Sequence, residues 1–289
     1  MPELPEVEVV KRSLESKIQN KIIKKVKIND IKLRYKLNIK KISQLNNLKI
    51  KKIERRSKYL LFHFDKPIIM LVHLGMTGKF FFINENKKKF KTSFYYNLDE
   101  AKDQKYDRVI FFLKNRQKFV YNDLRKFGFI KILSKNKIDK NLHLISLGPE
   151  PLSKYYNFNY FKNYIYQKKK TVKDLLMDQK FVSGLGNIYV NEILFSSKVK
   201  PTRKIKFLKD NEIKEIIKNT KKILSKSIKL GGASIKDFSS SNGKKGSFQQ
   251  HFRAYAREGE KCSNIDCKEK IIRIIISNRS SFYCLSCQK

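Results

Sequence analysis

Apolar side chains recur at helical spacing close to the start of the chain, at Val7, Val10, Leu14 and Ile18. This period predicts an amphipathic helix from about residue 5 to 18. Pro5 fits a first helical turn, where the N–H that proline lacks would have no helical acceptor. The acidic Glu6 also suits the positive end of a helix dipole. A helix therefore explains the sequence from Pro5 onward.

Between residues 21 and 133 the pattern changes to short apolar runs that partly alternate with polar residues. Such runs predict β-strands over residues 21–28, 48–53, 59–64, 67–74, 79–83, 109–113, 118–121 and 127–133. Residues 84–106 are polar, rich in lysine and weakly periodic, and they predict a long loop. Several short strands behind a single helix predict a β-sandwich.

Helical periodicity returns after a Gly-Pro-Glu-Pro break at residues 148–151, which is typical of a domain boundary. Helices are predicted over residues 155–169, 172–180 and 187–197, and a longer one is capped by Asp210 and ends at Gly231-Gly232. The C-terminal residues predict a hairpin with strands near 270–276 and 280–284. The sequence thus predicts an α+β multidomain protein, with a β-sandwich domain at 1–133, a linker at 134–153, a helical domain at 154–253 and a terminal finger at 254–289.

The chain is strongly basic, with 66 lysines and arginines against 26 acidic residues and a formal net charge of +40. It is also rich in Lys, Ile and Asn, so part of the excess follows from biased composition. A charge of this size still favours phosphate binding, and nucleic acid is the simplest partner. No apolar run approaches the roughly 18 residues of a membrane span, and no signal peptide opens the chain, so we expect a cytoplasmic protein.

All the cysteines lie near the C-terminus, at Cys262, Cys267, Cys284 and Cys287. In a reducing compartment this clustering favours a metal site over disulfides. The spacing within each pair lets both thiolates reach one tetrahedral zinc. Four thiolates leave no open position for water, so the sequence predicts one structural zinc ion. Arg279, near the hairpin tip, is either a solvated turn residue or a phosphate clamp on a rigid finger.

Pro2 and Glu3 precede the predicted helix and are not explained by it. If Met1 is removed, Pro2 becomes the N-terminus and offers a secondary amine. An α-amino group has a reference pKa of about 8, so part of it is neutral at pH 7. A neutral amine can attack an electrophilic sugar carbon and form an iminium. These residues alone leave both a capping role and a nucleophilic role open, and the capping role is the more common.

Ordered motifs along the whole chain resemble those of bacterial formamidopyrimidine-DNA glycosylases. They are PELPEVE at 2–8, RSKYLL at 56–61, HLGMTG at 73–78, DLRKFG at 123–128, LGPEPL at 147–152, LGNIY at 185–189, GGASIKDF at 231–238 and RSSFYC at 279–284. The resemblance implies an N-terminal helix with a β-sandwich, a helical domain with a helix–two-turn–helix motif, and a C-terminal zinc-finger hairpin. It also implies a monomeric repair enzyme that excises oxidised purines, chiefly 8-oxoguanine and formamidopyrimidines, and then nicks DNA by β,δ-elimination.

The resemblance assigns catalytic roles to Pro2, Glu3, Lys58 and Arg279. Pro2 would attack C1′ of the damaged nucleotide and form a Schiff base, and Glu3 would protonate the ribose ring oxygen. Lys58 would support β-elimination, and Arg279 would hold the phosphate and assist δ-elimination. Glu6 would support Glu3.

The resemblance also implies that Met76, Arg125 and Phe127 fill the space left by the extruded base. Without that resemblance, a Met and a Phe in strand-rich sequence would be taken as core residues. The remaining implied DNA contacts are Tyr106, Lys169, Lys173 and Asn187.

Departures from the family pattern leave lesion preference open. Leu124 replaces a usual Pro, Tyr106 lies in a segment that usually contains His, and Lys244-Lys245-Gly246 replaces Lys-Pro-Gly in the 239–250 loop, which the resemblance implies caps the flipped base. One alternative is the sister enzyme that prefers oxidised pyrimidines, which Leu4, Met76 and Phe127 disfavour. The other is a non-catalytic zinc-ribbon protein that binds nucleic acid.

Overall fold

The computed structural model describes residues 1–91, 104–233 and 248–289. The chain forms two compact units, each with its own core. The first unit comprises Met1–Ile145 and Gly231–Gly246, and the second comprises Ser146–Leu230 and Ser247–Lys289. Within the described residues, no helix is both long enough and apolar enough to cross a membrane.

The first unit opens with helix α1 (Leu4–Ile18), close to the predicted bounds. Its start is fixed by a capping box, in which the side chains of Glu3 and Glu6 each accept a hydrogen bond from the other residue's backbone N–H. Its apolar face, with Val7, Val10 and Leu14 fully buried, packs into the core of the unit. Burial of this face therefore fixes the position of the N-terminal residues.

Antiparallel strands make up most of the first unit, in two sheets. The strands are β1 (Ile23–Ile28), β2 (Ile50–Arg56), β3 (Tyr59–Phe64), β4 (Ile68–His73), β5 (Gly78–Ile83), β6 (Lys89–Lys91), β7 (Asp107–Leu113), β8 (Lys118–Asp123) and β9 (Phe129–Ser134). One sheet has the order β1-β7-β8-β5-β6, and the other has the order β2-β3-β4-β9.

A single hydrophobic core joins α1 and the two sheets. Phenylalanines from both sheets meet there, and the rings of Phe111 and Phe119 stack with centroids 4.3 Å apart. Phe62 and Phe80 pack beside them. The predicted sandwich is thus confirmed. A second, smaller cluster of Leu61, Ile69, Leu71 and Phe129 buries the other face of the β2-β3-β4-β9 sheet, so its central strands are apolar on both faces.

The second unit contains helices α3 (Phe158–Ile165), α4 (Val172–Met177), α5 (Asn187–Ser196) and α6 (Asp210–Lys229). It ends in a hairpin of β10 (Ile271–Ile276) and β11 (Arg279–Cys284). Helix α5 is buried along most of its length and contacts α4, α6 and β11. The predicted α+β organisation with a helical domain and a Cys-bounded hairpin is confirmed.

Three local predictions were wrong. A short helix, α2 (Ile39–Ser43), was missed, although Asn38 caps it by accepting from the Lys41 N–H at 3.0 Å. Strand β6 lies inside the predicted 84–106 loop because β5 offers it a pairing edge. Asp210 is the first residue of α6 rather than its cap, and the Glu212 carboxylate accepts from the Lys209 N–H at 2.7 Å instead.

Candidate active site

The residues at the start of α1 are buried, although they precede the first helical turn. Pro2 is buried, and Glu3 is 4 % exposed. The Glu3 N–H donates to Oε2 of Glu6 at 2.9 Å. The helix therefore holds the backbone of Pro2 and Glu3 in a fixed place within the first unit.

The second carboxylate oxygen of Glu6 reaches a distant part of the chain. Oε1 accepts from the backbone N–H of Ala233 at 2.9 Å, and both residues are buried. Gly232 makes this approach possible, because a Cβ at that position would lie 3.0 Å from Oε1, and its φ of +80° disfavours other residues. Glu6 thus joins the helix start to the segment that follows Gly231.

Lys58 lies in the turn between β2 and β3, where Ser57 has a φ of 55°. Its side chain is only 7 % exposed. Burial, together with the nearby charges of Lys58 and Arg125, lowers the pKa of the Met1 α-amine, against the opposite effect of Glu3 and Glu6. The first unit therefore brings the N-terminus, two carboxylates and two cations together, and this environment keeps an amine partly neutral near pH 7.

Met76 and Phe127 project from neighbouring loops of the first unit and are 44 % and 43 % exposed, which is unusual for large apolar side chains. Arg125 is also exposed, and its guanidinium carbon lies 4.5 Å from the centroid of the Phe127 ring. Leu124 adds a further exposed apolar group beside them. These side chains are not core residues, so packing does not explain them.

In the second unit, two predicted contact residues bind the hairpin. The ammonium of Lys173, 1 % exposed, donates to the Ser280 carbonyl at 3.0 Å and to the Ser281 hydroxyl at 2.7 Å. Nδ2 of Asn187 donates to the same Ser280 carbonyl at 3.0 Å. Arg279 is exposed beside this anchored strand. The hairpin tip is thus fixed against α4 and the N-terminus of α5, and Lys173 is buried in an internal contact.

Two further predicted contacts lie on surfaces. Lys169 is exposed in the loop between α3 and α4. Tyr106 is half-buried in a short turn before β7, with the Lys105 ammonium 5.0 Å and the Arg108 guanidinium carbon 5.7 Å from its ring centroid. The predicted base-capping loop, residues 239–250, lies outside the described residues except for its end, where Phe248 packs on Tyr189.

The four cysteine sulfurs form one cluster, all within 4.8 Å of one another. Sγ of Cys262 lies 3.9 Å from that of Cys287, and Sγ of Cys267 lies 3.6 Å from that of Cys284. Tetrahedral zinc with bonds of about 2.3 Å requires sulfur pairs about 3.8 Å apart. The cluster therefore has the geometry of a metal site, and its ligand set fits zinc.

The sequence analysis missed a carboxylate, Glu192, that connects α5 to residues 253–255. Glu192 is 2 % exposed, and burial raises the pKa of its carboxyl group. It accepts from the backbone N–H groups of Arg253, Ala254 and Tyr255 at 2.8–3.0 Å. An acidic residue within the otherwise apolar pattern of α5 was the available clue.

Family models match most of the chain. Residues 1–130 match the formamidopyrimidine-DNA glycosylase N-terminal domain, and residues 147–239 match the formamidopyrimidine-DNA glycosylase H2TH domain. Formamidopyrimidine-DNA glycosylase of Rickettsia bellii is 41 % identical over 289 residues, covering 100 % of both chains. The Rickettsia felis enzyme is 38 % identical, and the match covers 100 % of this chain and 98 % of the Rickettsia felis enzyme.

Solved structures agree with the sequence relatives. A Lactococcus lactis FPG variant in complex with a Fapy-dG containing DNA matches with a TM-score of 0.85 at 30 % identity, covering 100 % of both chains. The Lactococcus lactis complex with an abasic site containing DNA matches with a TM-score of 0.84 at 29 % identity, covering 99 % of each. Sequence and structure agree over the whole length, and the chain belongs to the formamidopyrimidine-DNA glycosylase family.

Proposed function

We propose that this protein is a bifunctional DNA glycosylase and AP lyase of base excision repair that acts on oxidised purines. One observation carries the proposal: a buried Pro2-Glu3 pair at the start of α1, in an environment that lowers the pKa of the N-terminal amine. Relatives that carry this family name and structures bound to damaged DNA support the same activity.

The chemistry starts with removal of Met1, which leaves Pro2 with a neutral secondary amine. That amine attacks C1′ of the damaged nucleotide, the bond from C1′ to the base breaks, and the base leaves with a proton. Loss of the ring oxygen from C1′ then gives a cationic iminium. Proline suits this step because the iminium of a secondary amine carries no N–H proton to lose and therefore stays cationic.

Glu3 is the acid that protonates the ribose ring oxygen as the sugar opens, because its carboxyl group adjoins the nucleophile in the chain and is held by the capping box. Lys58 contacts the phosphate and supports loss of the C2′ proton. β-Elimination then releases the 3′ phosphate, and δ-elimination releases the 5′ phosphate. Arg279 holds the phosphate through its guanidinium during the second elimination.

Base extrusion costs a few kcal/mol, and the empty space in the duplex must be filled. Met76, Phe127 and Arg125 form an exposed apolar group with one guanidinium, which fits that task. Lys169, Tyr106 and Asn187 contribute phosphate contacts along the bound strand. Lys173 contributes through the hairpin that its buried ammonium supports.

The cysteine cluster binds one zinc ion, which supplies structural rigidity and no reaction chemistry because four thiolates complete its coordination. Bound in this way, it keeps β10 and β11 in register beneath Arg279. The protein acts as a monomer on damaged double-stranded DNA. Because genomic DNA is its substrate, we place it in the cytoplasm.

Oxidised pyrimidines are a second candidate substrate class, since a Lactococcus lactis relative has been solved with an oxidised pyrimidine containing DNA. Full-length agreement with a glycosylase family argues against the non-catalytic zinc-ribbon alternative. Parallel excision assays on 8-oxoguanine and oxidised-pyrimidine duplexes would rank the two classes.

Borohydride trapping tests the proposed function. Protein lacking Met1 should form a covalent adduct with an 8-oxoguanine duplex and no adduct with the undamaged duplex. Pro2→Gly should lose most of this activity while still binding DNA, and Pro67→Gly, in an exposed turn, is the matched control. Absence of an adduct with Met1-free protein would contradict the lyase activity.

A further inference from the structure

Asp123, at the end of β8, lies fully buried between the two loops that carry the exposed Met76 and Phe127. Its Oδ1 accepts from the hydroxyl of Thr77, the neighbour of Met76, at 2.5 Å. Its Oδ2 accepts from the N–H of Gly128, the neighbour of Phe127, at 2.8 Å, and from the Tyr121 hydroxyl at 3.3 Å. One carboxylate therefore connects the two loops.

The loops also touch directly through their backbones. A Cβ on Gly75, whose φ is +65°, would lie 2.4 Å from the carbonyl carbon of Phe127. A Cβ on Gly128 would lie 1.9 Å from the Tyr121 hydroxyl oxygen. Real side chains tolerate neither distance, so glycine at both positions lets the loops close around Asp123.

Further hydrogen bonds extend the connection to Arg125. The backbone N–H of Arg125 donates to the Thr77 hydroxyl oxygen at 3.0 Å, while that hydroxyl donates to Asp123. Nε of Arg108 donates to the Asp123 carbonyl at 2.9 Å. The Asp123 carboxylate only accepts hydrogen bonds, so it can bind the Thr77 hydroxyl, the Gly128 N–H and the Tyr121 hydroxyl at once. An amide in its place would turn its NH₂ group toward at least one of these donors.

We propose that Asp123 is a positioning residue that locks the Met76 turn and the Arg125–Phe127 loop into one rigid wedge. The inference rests on the proposed function, because a wedge is needed only where a base leaves a duplex. With the wedge held in advance, the three side chains enter the vacated space together, and no ordering of the loops is required at that moment.

The test compares two reactions of the full-length protein. Asp123→Asn should lower single-turnover excision of 8-oxoguanine from duplex DNA by about 10- to 100-fold, because the amide leaves one buried donor without an acceptor. Cleavage of an abasic site in a single-stranded oligonucleotide, where there is no vacated space opposite a partner base, should change by less than about threefold by the same reasoning. Thr77→Val should show the same split with a loss of about tenfold.

Ile50→Ala, at the start of strand β2, is the matched destabilised control, because Ile50 is fully buried and pairs with Phe64 on β3, and neither strand leads into the two loops. If Asp123→Asn lowers both reactions equally, as a loss of folded protein would, the positioning role is contradicted. Activity within twofold of wild type in both reactions contradicts it as well.

A second readout separates this inference from the proposed function. A 2-aminopurine placed opposite an abasic analogue reports on filling of the space without any chemistry, and Asp123→Asn should change its fluorescence on binding relative to wild type. An unchanged signal overturns the positioning role. Failure of wild-type protein to cleave either substrate counts against the proposed function instead.

Discussion

The Glu6 carboxylate accepts a hydrogen bond from the backbone N–H of Ala233, 227 residues further along the chain, at 2.9 Å. Its other oxygen accepts from the N–H of Glu3 at 2.9 Å. One buried side chain thus holds both the start of α1 and the backbone of Ala233.

Glu6→Gln should break one of the two connections, because an amide replaces one of the two accepting oxygens with a donor. We expect a loss of about 1–3 kcal/mol in the free energy of unfolding. Excision should fall further than this loss of folded protein explains, since Glu3 would shift. Chemical denaturation and single-turnover kinetics check this, with Glu15→Gln, which removes only the half-buried i,i+4 ion pair with Lys11, as the control. If Glu6→Gln keeps the wild-type free energy of unfolding and the wild-type excision rate, Glu6 does not hold Glu3 in place.

Removal of the Lys58 charge should raise the pKa of the N-terminal amine, because that cation is one of the groups that lower it. In Lys58→Gln the acidic limb of the pH–rate profile for borohydride trapping, where the amine loses its proton, should therefore move to higher pH. At pH 7 the trapping rate should fall by about tenfold. Lys66→Gln, on an exposed turn, should leave the profile unchanged. An unshifted profile for Lys58→Gln would show that the lysine has no electrostatic effect on the amine.

Loss of one cysteine ligand should release the metal and loosen the hairpin. Cys284→Ser should reduce bound zinc from one ion per chain to none in elemental analysis, since three remaining thiolates bind far more weakly. DNA affinity should fall by at least about tenfold because Arg279 loses its support. Ser286→Ala, in the same loop, is the control. Retention of full DNA affinity in the metal-free variant would contradict the structural role.

His73 should make the protein less stable in acid. Burial, with the nearby charges of Lys58, Arg34 and His143, lowers the pKa of this imidazole to about 4. The unfolded state binds a proton near the ordinary pKa of about 6.5 and the folded state does not, so stability falls as pH drops through this window. Between pH 7 and pH 5 the loss should be roughly 1–2 kcal/mol.

The His73 effect can be isolated by one substitution. His73→Asn keeps an acceptor for the Gly75 N–H, which bonds the imidazole at 3.1 Å, and removes the titration. Its unfolding free energy should therefore depend less on pH between 7 and 5 than that of wild type. The exposed His251→Asn should retain the wild-type dependence. An identical pH slope in His73→Asn would assign the acid sensitivity to other groups.

Much of the fold could be predicted because local pattern and burial agree. Tyr59–Phe64 was predicted at its observed bounds, since this strand reads as a compact apolar run between polar turns. Strand β6 could not be predicted, because it is only three residues long, two of them lysines, and its pairing with β5 is a tertiary contact. Asp210 failed as a cap because the helix begins at Asp210 itself, and its carboxylate pairs with the Lys162 ammonium.

The sequence indicated the residue types of the candidate site but not the contacts that connect them. Pro2, Glu3 and the cysteines carry their chemistry in residue type and spacing. The burial of Lys173 depends on Ser280 and Ser281, more than 100 residues away, and no local pattern reports it. The same holds for Glu6 with Ala233, and for Asp123, whose role depends on two loops closing around it.

Mass spectrometry of the borohydride-trapped adduct tests the central claim most directly. After proteolysis, the sugar remnant should lie on the N-terminal peptide that begins with Pro2, attached through its amine, and Met1 should be absent. A remnant on a lysine such as Lys58, or an adduct of equal yield from protein that retains Met1, would contradict the assignment of Pro2 as the nucleophile.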